Sequence, residues 1–173
     1  MDDTRSRLIE SARRLLREGG LEAVTLRAVG DAAGVSRTAP YRHFADKNAL
    51  LAALAARIIL DLTRHVTDAA MRETGKKPRL RALYAAYVEY AMAHREEYRL
   101  VFASHIPAAA HPELERAIEG AMELLGLQGG APASPAEKMA VLCAVHGLAD
   151  MATTGHLDAK GITAEEVIRA MVG

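Results

Sequence analysis

The sequence predicts an all-α fold, a three-helix helix-turn-helix head followed by a longer helical body, about nine helices in all. Three observations lead there. Apolar residues recur at three- and four-residue spacing along almost the whole chain, the period of helices that bury one face. Helix start signals, a Ser, Thr or Asp set just before an apolar run, recur at the boundaries between these segments. No convincing strand, repeat or low-complexity segment interrupts the pattern.

The elements follow in order. Leu8, Ile9, Ala12, Leu15 and Leu16 share one face of a first helix, with Arg7, Arg13, Arg14 and Arg17 largely off it, and Gly19-Gly20 ends the run. Thr25 is placed to cap the second helix, with Val24 and Val29 at the two positions of a hydrophobic staple and Gly34 at its end. Ser36 is expected to cap a third helix running from Arg37 to Phe44. Asp46 opens a long fourth, whose Leu50, Leu51, Leu54, Ile58, Ile59, Leu62 and Val66 keep helical spacing to about Arg72. Thr74 to Pro78 breaks it.

Beyond the break, helices are expected from about Arg79 to His94, from Glu96 to Ser104 and from Pro112 to Leu125, with a loop from Gly126 to Ala133. Ser134, Pro135 and Glu137 form a capping box with proline at the first helical position, opening a helix that reaches about Thr154. Thr163 with Glu166 repeats the box, and Ile162 with Val167 the staple, before a last short helix.

Composition narrows the class. Half of the 173 residues are hydrophobic, enough for a real core, and 22 basic side chains balance 22 acidic ones, so net charge favours no partner. Residues 1 to 50 carry 9 basic and 7 acidic side chains, a mild excess at the N-terminal end. Cys143 is the single cysteine, and the start Met-Asp-Asp-Thr-Arg lacks the apolar core of a secretory signal, so a reducing cytoplasm is expected. No stretch approaches the ~20 uninterrupted apolar residues of a membrane span, and no membrane association is expected.

Two short helices about Gly34-Val35 make a helix-turn-helix arrangement. The second presents Arg37, Thr38, Tyr41, Arg42 and His43, with Phe44 alone strongly apolar, and so offers donors to a DNA groove. A packed helical corner without DNA has the same outline. The full run from Val24 to Leu51, VTLRAVGDAAGVSRTAPYRHFADKNALL, resembles the DNA-binding head of the TetR family of regulators. Thr25 and Arg27, the turn Ala33-Gly34-Val35-Ser36, Tyr41, His43-Phe44, Asp46-Lys47 and Leu50 stand in the family's pattern, as do the preceding helix and its Gly19-Gly20 stop. The resemblance covers about residues 5 to 52. It implies double-stranded operator DNA as partner. Thr25, Tyr41 and Lys47 then resemble phosphate contacts, which position without reading sequence. Arg37, Thr38 and Ala39 are the candidates for base edges, His43 for backbone or base, and Arg27 and Ser36 complete the DNA-facing set. Val29 and Phe44 are assigned to the core and Arg42 to solvent.

The same resemblance implies a DNA-binding domain over residues 1 to 48 and a ligand-binding and dimerisation domain over 49 to 173. The helix from Pro135 to Thr154 is apolar on more than one face, which predicts burial on all sides. In the family the last two helices pair across a two-fold axis, so a homodimer is implied. Val145-His146-Gly147-Leu148 resembles the His-Gly signature of a subgroup named for Trp-His-Gly, although this chain contains no tryptophan. Tyr84, Tyr87, Phe102, Met122, Cys143 and His146 are candidate contacts for a small, mainly apolar effector, since soft side chains with a few polar handles suit such a pocket. Ordinary core packing accounts for the same residue types.

Two other classes compete: a protein-interaction module, which leaves the polar third helix without a purpose, and a metalloenzyme built on His94, His105 and His111. No HExxH or paired-cysteine spacing accompanies those histidines, so no catalytic residue, metal ligand or cofactor is assigned.

Overall fold

A computed structural model describes residues 3–103, 105–126 and 134–173. Among these residues the chain forms helices α1 (Asp3–Ala23), α2 (Leu26–Ala32), α3 (Ala39–His43), α4 (Lys47–Met71), α5 (Lys76–Ala93), α6 (Arg95–Ala103), α7 (Pro112–Gly126), α8 (Pro135–Thr153) and α9 (Ala164–Val172), and no strand. Two 3₁₀ turns that the sequence did not signal, Ala108–Ala110 and Asp158–Lys160, precede α7 and α9. Most of the loop expected between Gly126 and Ala133 lies outside the described residues.

The chain divides into two compact units, one combining Met1–Ile58 with Glu96–Ala117 and the other Ile59–Arg95 with Ile118–Gly173. In the first, α1 buries Leu8, Ile9, Ala12 and Leu16 together with Val24, Leu26 and Val29 around α2, Phe44 after α3, and Leu50 and Leu54 of α4. Each large apolar side chain among them contributes about 1.5–3 kcal/mol on leaving water, and that burial holds the two short helices α2 and α3 against α1. Tyr98 and Leu100 of α6 and Leu114 and Ala117 of α7 are buried in this unit as well.

In the second unit α5 packs against α8 and α9. Leu83, Tyr84, Tyr87, Val88 and Ala91 of α5 are buried, as are Val145, Leu148, Ala149 and Ala152 of α8 and Ile168 of α9. The capping boxes at Ser134/Glu137 and Thr163/Glu166 are both formed, with each hydroxyl accepting from the N3 amide and each carboxylate accepting from the cap amide. Those hydrogen bonds, backbone first, hold both glutamates below the usual carboxylate range.

The first helix breaks where Gly19-Gly20 signals it: Gly20 has non-helical dihedrals (φ 67°, ψ −169°), and a separate short turn runs on to Ala23. Two expectations need correction. α5 begins at Lys76, so Pro78 sits in its first turn, where a missing amide costs nothing, and does not separate the helices. α8 is buried on one side and open on another within the single chain, the open side being left for the second copy that the resemblance implies. Met139 is 49% and Met151 47% exposed, and Cys143 and Gly147 between them are exposed, so one apolar side of the helix is open within a single chain. The second correction falls on the third helix.

Candidate nucleic-acid interface

The third helix spans Ala39–His43, with Thr38 at its N-cap and no side-chain cap. Ser36, expected as its cap, cannot serve: a helix opened there closes its first bond from the amide of residue 40, and Pro40 has none. The Ala39 amide donates to the Ser36 carbonyl instead, at 3.0 Å, closing a tight turn over Arg37-Thr38. The Ser36 hydroxyl lies 3.3 Å from that of Thr38. The reader is thus a one-turn helix entered by an exposed turn carrying Ser36, Arg37 and Thr38.

Local physics fixes the rest of the motif. Thr25, in extended conformation, accepts from the Ala28 amide at 3.1 Å and opens α2. Gly34 takes φ +65°, a left-handed value suited to glycine, while its amide donates to Asp31 and that of Val35 to Gly30. Pro40 is buried against Gly30. The Phe44 amide donates to the Pro40 carbonyl at 2.9 Å, and the Phe44 ring, itself buried, lies 5.5 Å beneath the Arg5 guanidinium.

With its inner side so anchored, the motif turns the polar set outward. Thr25, Arg27, Ser36, Arg37, Thr38 and Arg42 are exposed, and Ala39, His43 and Lys47 are half-buried. Tyr41 is 58% exposed, a large aromatic surface with no part in the core. Arg27 stands 3.9 Å from Asp31, a loose i,i+4 pair that leaves its guanidinium available. Lys47 donates one bond to the Leu21 carbonyl at 3.3 Å. All nine residues of the predicted DNA-facing set therefore lie along one continuous segment at the surface or its margin, on elements whose other faces are locked.

The effector candidates are distributed differently. Tyr84 and Tyr87 are buried in α5, and burial raises the Tyr84 hydroxyl above its usual range. His146 is half-buried and Cys143 exposed on α8, Met122 is half-buried on α7, and Phe102 of α6 belongs to the other unit. Among the described residues no group of three or more His, Cys, Asp or Glu is placed to hold a metal ion. No described helix is long and apolar enough to cross a membrane.

Sequence reasoning missed the role of the α1 arginines. Arg13 and Arg17 grip Glu97, a fully buried carboxylate on α6; Arg5 pairs with Glu113 of α7; and Arg7 donates to the Ala33 carbonyl at 2.5 Å. Burial would raise the Glu97 carboxyl, but the hydrogen bonds and charges of Arg13 and Arg17 together outweigh it and hold the group below the usual range. The four-residue spacing of Arg13 and Arg17 was a signal that both face one partner. Nothing in the sequence marks Glu97 as that partner.

Comparison with known proteins agrees with this geometry. Residues 8–54 match the bacterial regulatory proteins of the tetR family, and residues 80–173 match the tetracyclin repressor-like C-terminal domain. The chain is 27% identical over 146 residues, 81% of its length and 67% of the relative's, to the HTH-type transcriptional activator FasR of Mycolicibacterium smegmatis. It is 43% identical over 53 residues, 31% of its length and 28% of the relative's, to the HTH-type transcriptional repressor AcnR of Corynebacterium efficiens. A solved structure of a Rhodococcus sp. RHA1 protein of unknown function is 32% identical, with a TM-score of 0.82 over 99% of this chain and 93% of that one. Both halves of the sequence thus lead to one conclusion: the chain belongs to the TetR family of bacterial transcription regulators.

Proposed function

We propose that this regulator is a cytoplasmic homodimeric repressor that binds operator DNA through α3 and is released by a small, mainly apolar effector held in its C-terminal domain. The observation that carries the DNA reading is the asymmetry of α3 and the residues flanking it: Pro40 and Phe44 are buried while Arg37 and Thr38 of the preceding turn and Tyr41 of the helix are exposed. A helix that spends its apolar residues inward and keeps donors outward suits a groove. Arg37, Thr38 and Ala39 supply base contacts, Thr25, Tyr41 and Lys47 phosphate contacts, and Arg27, Ser36 and His43 flank them. The functional division follows the sequence reading, with DNA binding in residues 1 to 48 and effector binding and dimerisation in 49 to 173.

The open apolar side of α8 supports the dimer. Met139, Cys143, Gly147 and Met151 recur at four-residue spacing along it, and Met171 of α9 is also exposed. A second copy covers such a side symmetrically and supplies the second reading helix. Val145, on the other side of the same helix, is fully buried within the chain and belongs to the core. Tyr84, Tyr87, Met122 and His146, all in the second unit, remain the proposed effector contacts, whereas Cys143 goes to the seam and Phe102 belongs to the first unit. Ligand and operator oppose each other because half-sites about 34 to 36 Å apart tolerate little change in the spacing of two reading helices.

Selection of duplexes from a random-sequence pool by the purified chain tests the reading. Enriched duplexes are expected to carry inverted half-sites spaced by whole helical turns, and a reporter behind such a site to be silenced. An activated reporter assigns the opposite sign, that of FasR. A pool that remains unenriched removes the DNA reading.

A further inference from the structure

Helix α1 carries arginines that engage two different neighbours. Toward α6, Arg13 donates from Nε to Glu97 Oε1 at 2.9 Å and from Nη2 to Oε2 at 2.7 Å, and the Arg17 Nε also donates to Oε1. Toward α2, the Arg7 Nη2 donates to the carbonyl of Ala33, the C-cap of that helix and the residue before Gly34. All of these residues lie in one compact unit.

The two ends of this arrangement constrain different things. A carbonyl at a helix C-terminus has no intrahelical donor and sits at the negative end of the dipole, so a guanidinium placed on it fixes where α2 ends and the turn begins. Glu97 is fully buried, and the side chain of Arg13 is only 13% exposed. A two-pronged guanidinium–carboxylate pair has a definite direction and register, whereas the apolar contacts around it are non-directional and allow sliding. Displacing α6 therefore requires α1 to move with it or the pair to break. Along the chain, α6 follows α5, which carries the proposed effector contacts Tyr84 and Tyr87, after His94 alone.

We propose that Glu97 is a positioning residue for DNA binding: through Arg13 and Arg17 it sets the pose of α1, and through Arg7 α1 sets the pose of the turn between α2 and α3. This arginine relay links the buried carboxylate to the turn that opens the reading helix. The inference rests on the reading of α3 as the DNA-contacting element, and its test separates the two.

The variants are Glu97→Gln, Arg7→Ala and the double substitution, each in the full chain. The first measurement is anisotropy with the duplex selected by the wild-type chain. Each single variant is expected to bind about tenfold more weakly, and the double no more weakly than about the worse single, the non-additivity of residues acting in one chain of contacts. The second is amide hydrogen exchange, which needs no DNA. Glu97→Gln is expected to speed exchange in residues 26 to 43, and Arg7→Ala, which leaves the buried pair intact, to speed it in 95 to 103, since coupling runs both ways. Full additivity in binding, or exchange changes confined to the helices flanking each substitution, overturns the relay. If the wild-type chain selects no duplex, the DNA reading fails and the exchange result alone decides the relay; if Glu97→Gln does not fold, the Arg7→Ala exchange pattern decides it.

Discussion

Pro40 of α3 rests on Gly30 of α2 so closely that a Cβ added to the glycine would stand 2.8 Å from the proline Cγ. The approach of the two helices is set by a missing side chain on one and a rigid ring on the other. Gly30→Ala forces α3 outward, although alanine favours the helix by about 1 kcal/mol. Overpacking of this kind costs about 1–3 kcal/mol, so a lowered urea midpoint and at least about tenfold weaker operator binding are expected. Adding Pro40→Ala removes the ring and restores much of the loss. Wild-type affinity in Gly30→Ala alone refutes this account of the turn.

Glu97 gives the fold a pH dependence whose sign is fixed. Its carboxyl lies below the ordinary value of 4.5 in the folded chain, so the unfolded chain binds the proton more readily. The stability it contributes is present above that value and is lost as pH falls below it, toward the folded group's own lower value. Glu97→Gln leaves the Arg13 guanidinium buried without its counter-charge, a loss of about 3–5 kcal/mol near neutrality. Urea titrations from pH 7 down to acid are expected to show the gap between wild type and variant closing below about 4.5. A gap of constant size at every pH contradicts the assignment.

Gly147 is an exposed position on α8 where an added Cβ meets nothing within 4 Å. Gly147→Glu is therefore tolerated by the single chain and improves helix propensity, while in a symmetric dimer it sets a charge at the apolar seam. Sedimentation is expected to show wild-type dimers and folded variant monomers with native far-UV dichroism. Val145→Glu, in the core, is expected to unfold the chain. A Gly147→Glu chain that remains dimeric at micromolar concentration moves the seam elsewhere.

For the effector, a compound that releases the wild-type chain from its selected duplex is titrated into Tyr87→Phe and His146→Ala. α5 packs on α8, so both substitutions act within one pair of helices. Operator affinity is expected to be unchanged and release lost. Undiminished release in both variants places the effector elsewhere.

Most of the helices were legible because the signals that specify them are local. The spacing of Leu50 through Val66, the Thr25 cap and the two capping boxes act over four or fewer residues at a time, and all are formed. The third helix failed as a boundary because two local rules met at one place, the Ser36 cap and the N–H that Pro40 lacks and a helix opened at Ser36 would have needed. Which side of α8 stays open in the single chain was not legible, because apolarity on two faces predicts burial without saying whether the same chain or a second copy provides it. The Arg13–Glu97 pair joins residues 84 positions apart, and no periodicity carries information over that distance. The outward set from Thr25 to Lys47 was readable as surface because the apolar residues interleaved with it, Val29 and Phe44, read as core, and both are buried.

The central claim, that the exposed front of the third helix reads bases while its flanks grip phosphates, is tested most directly by anisotropy titrations of the selected duplex at several salt concentrations. Arg37→Ala is expected to lose on the order of 1 to 3 kcal/mol and to relax preference at one base position. Lys47→Ala is expected to weaken selected and scrambled duplexes alike and to reduce the salt slope by about one. Unchanged affinity and salt dependence in both variants, with the wild-type chain bound to the same duplex, contradicts the claim.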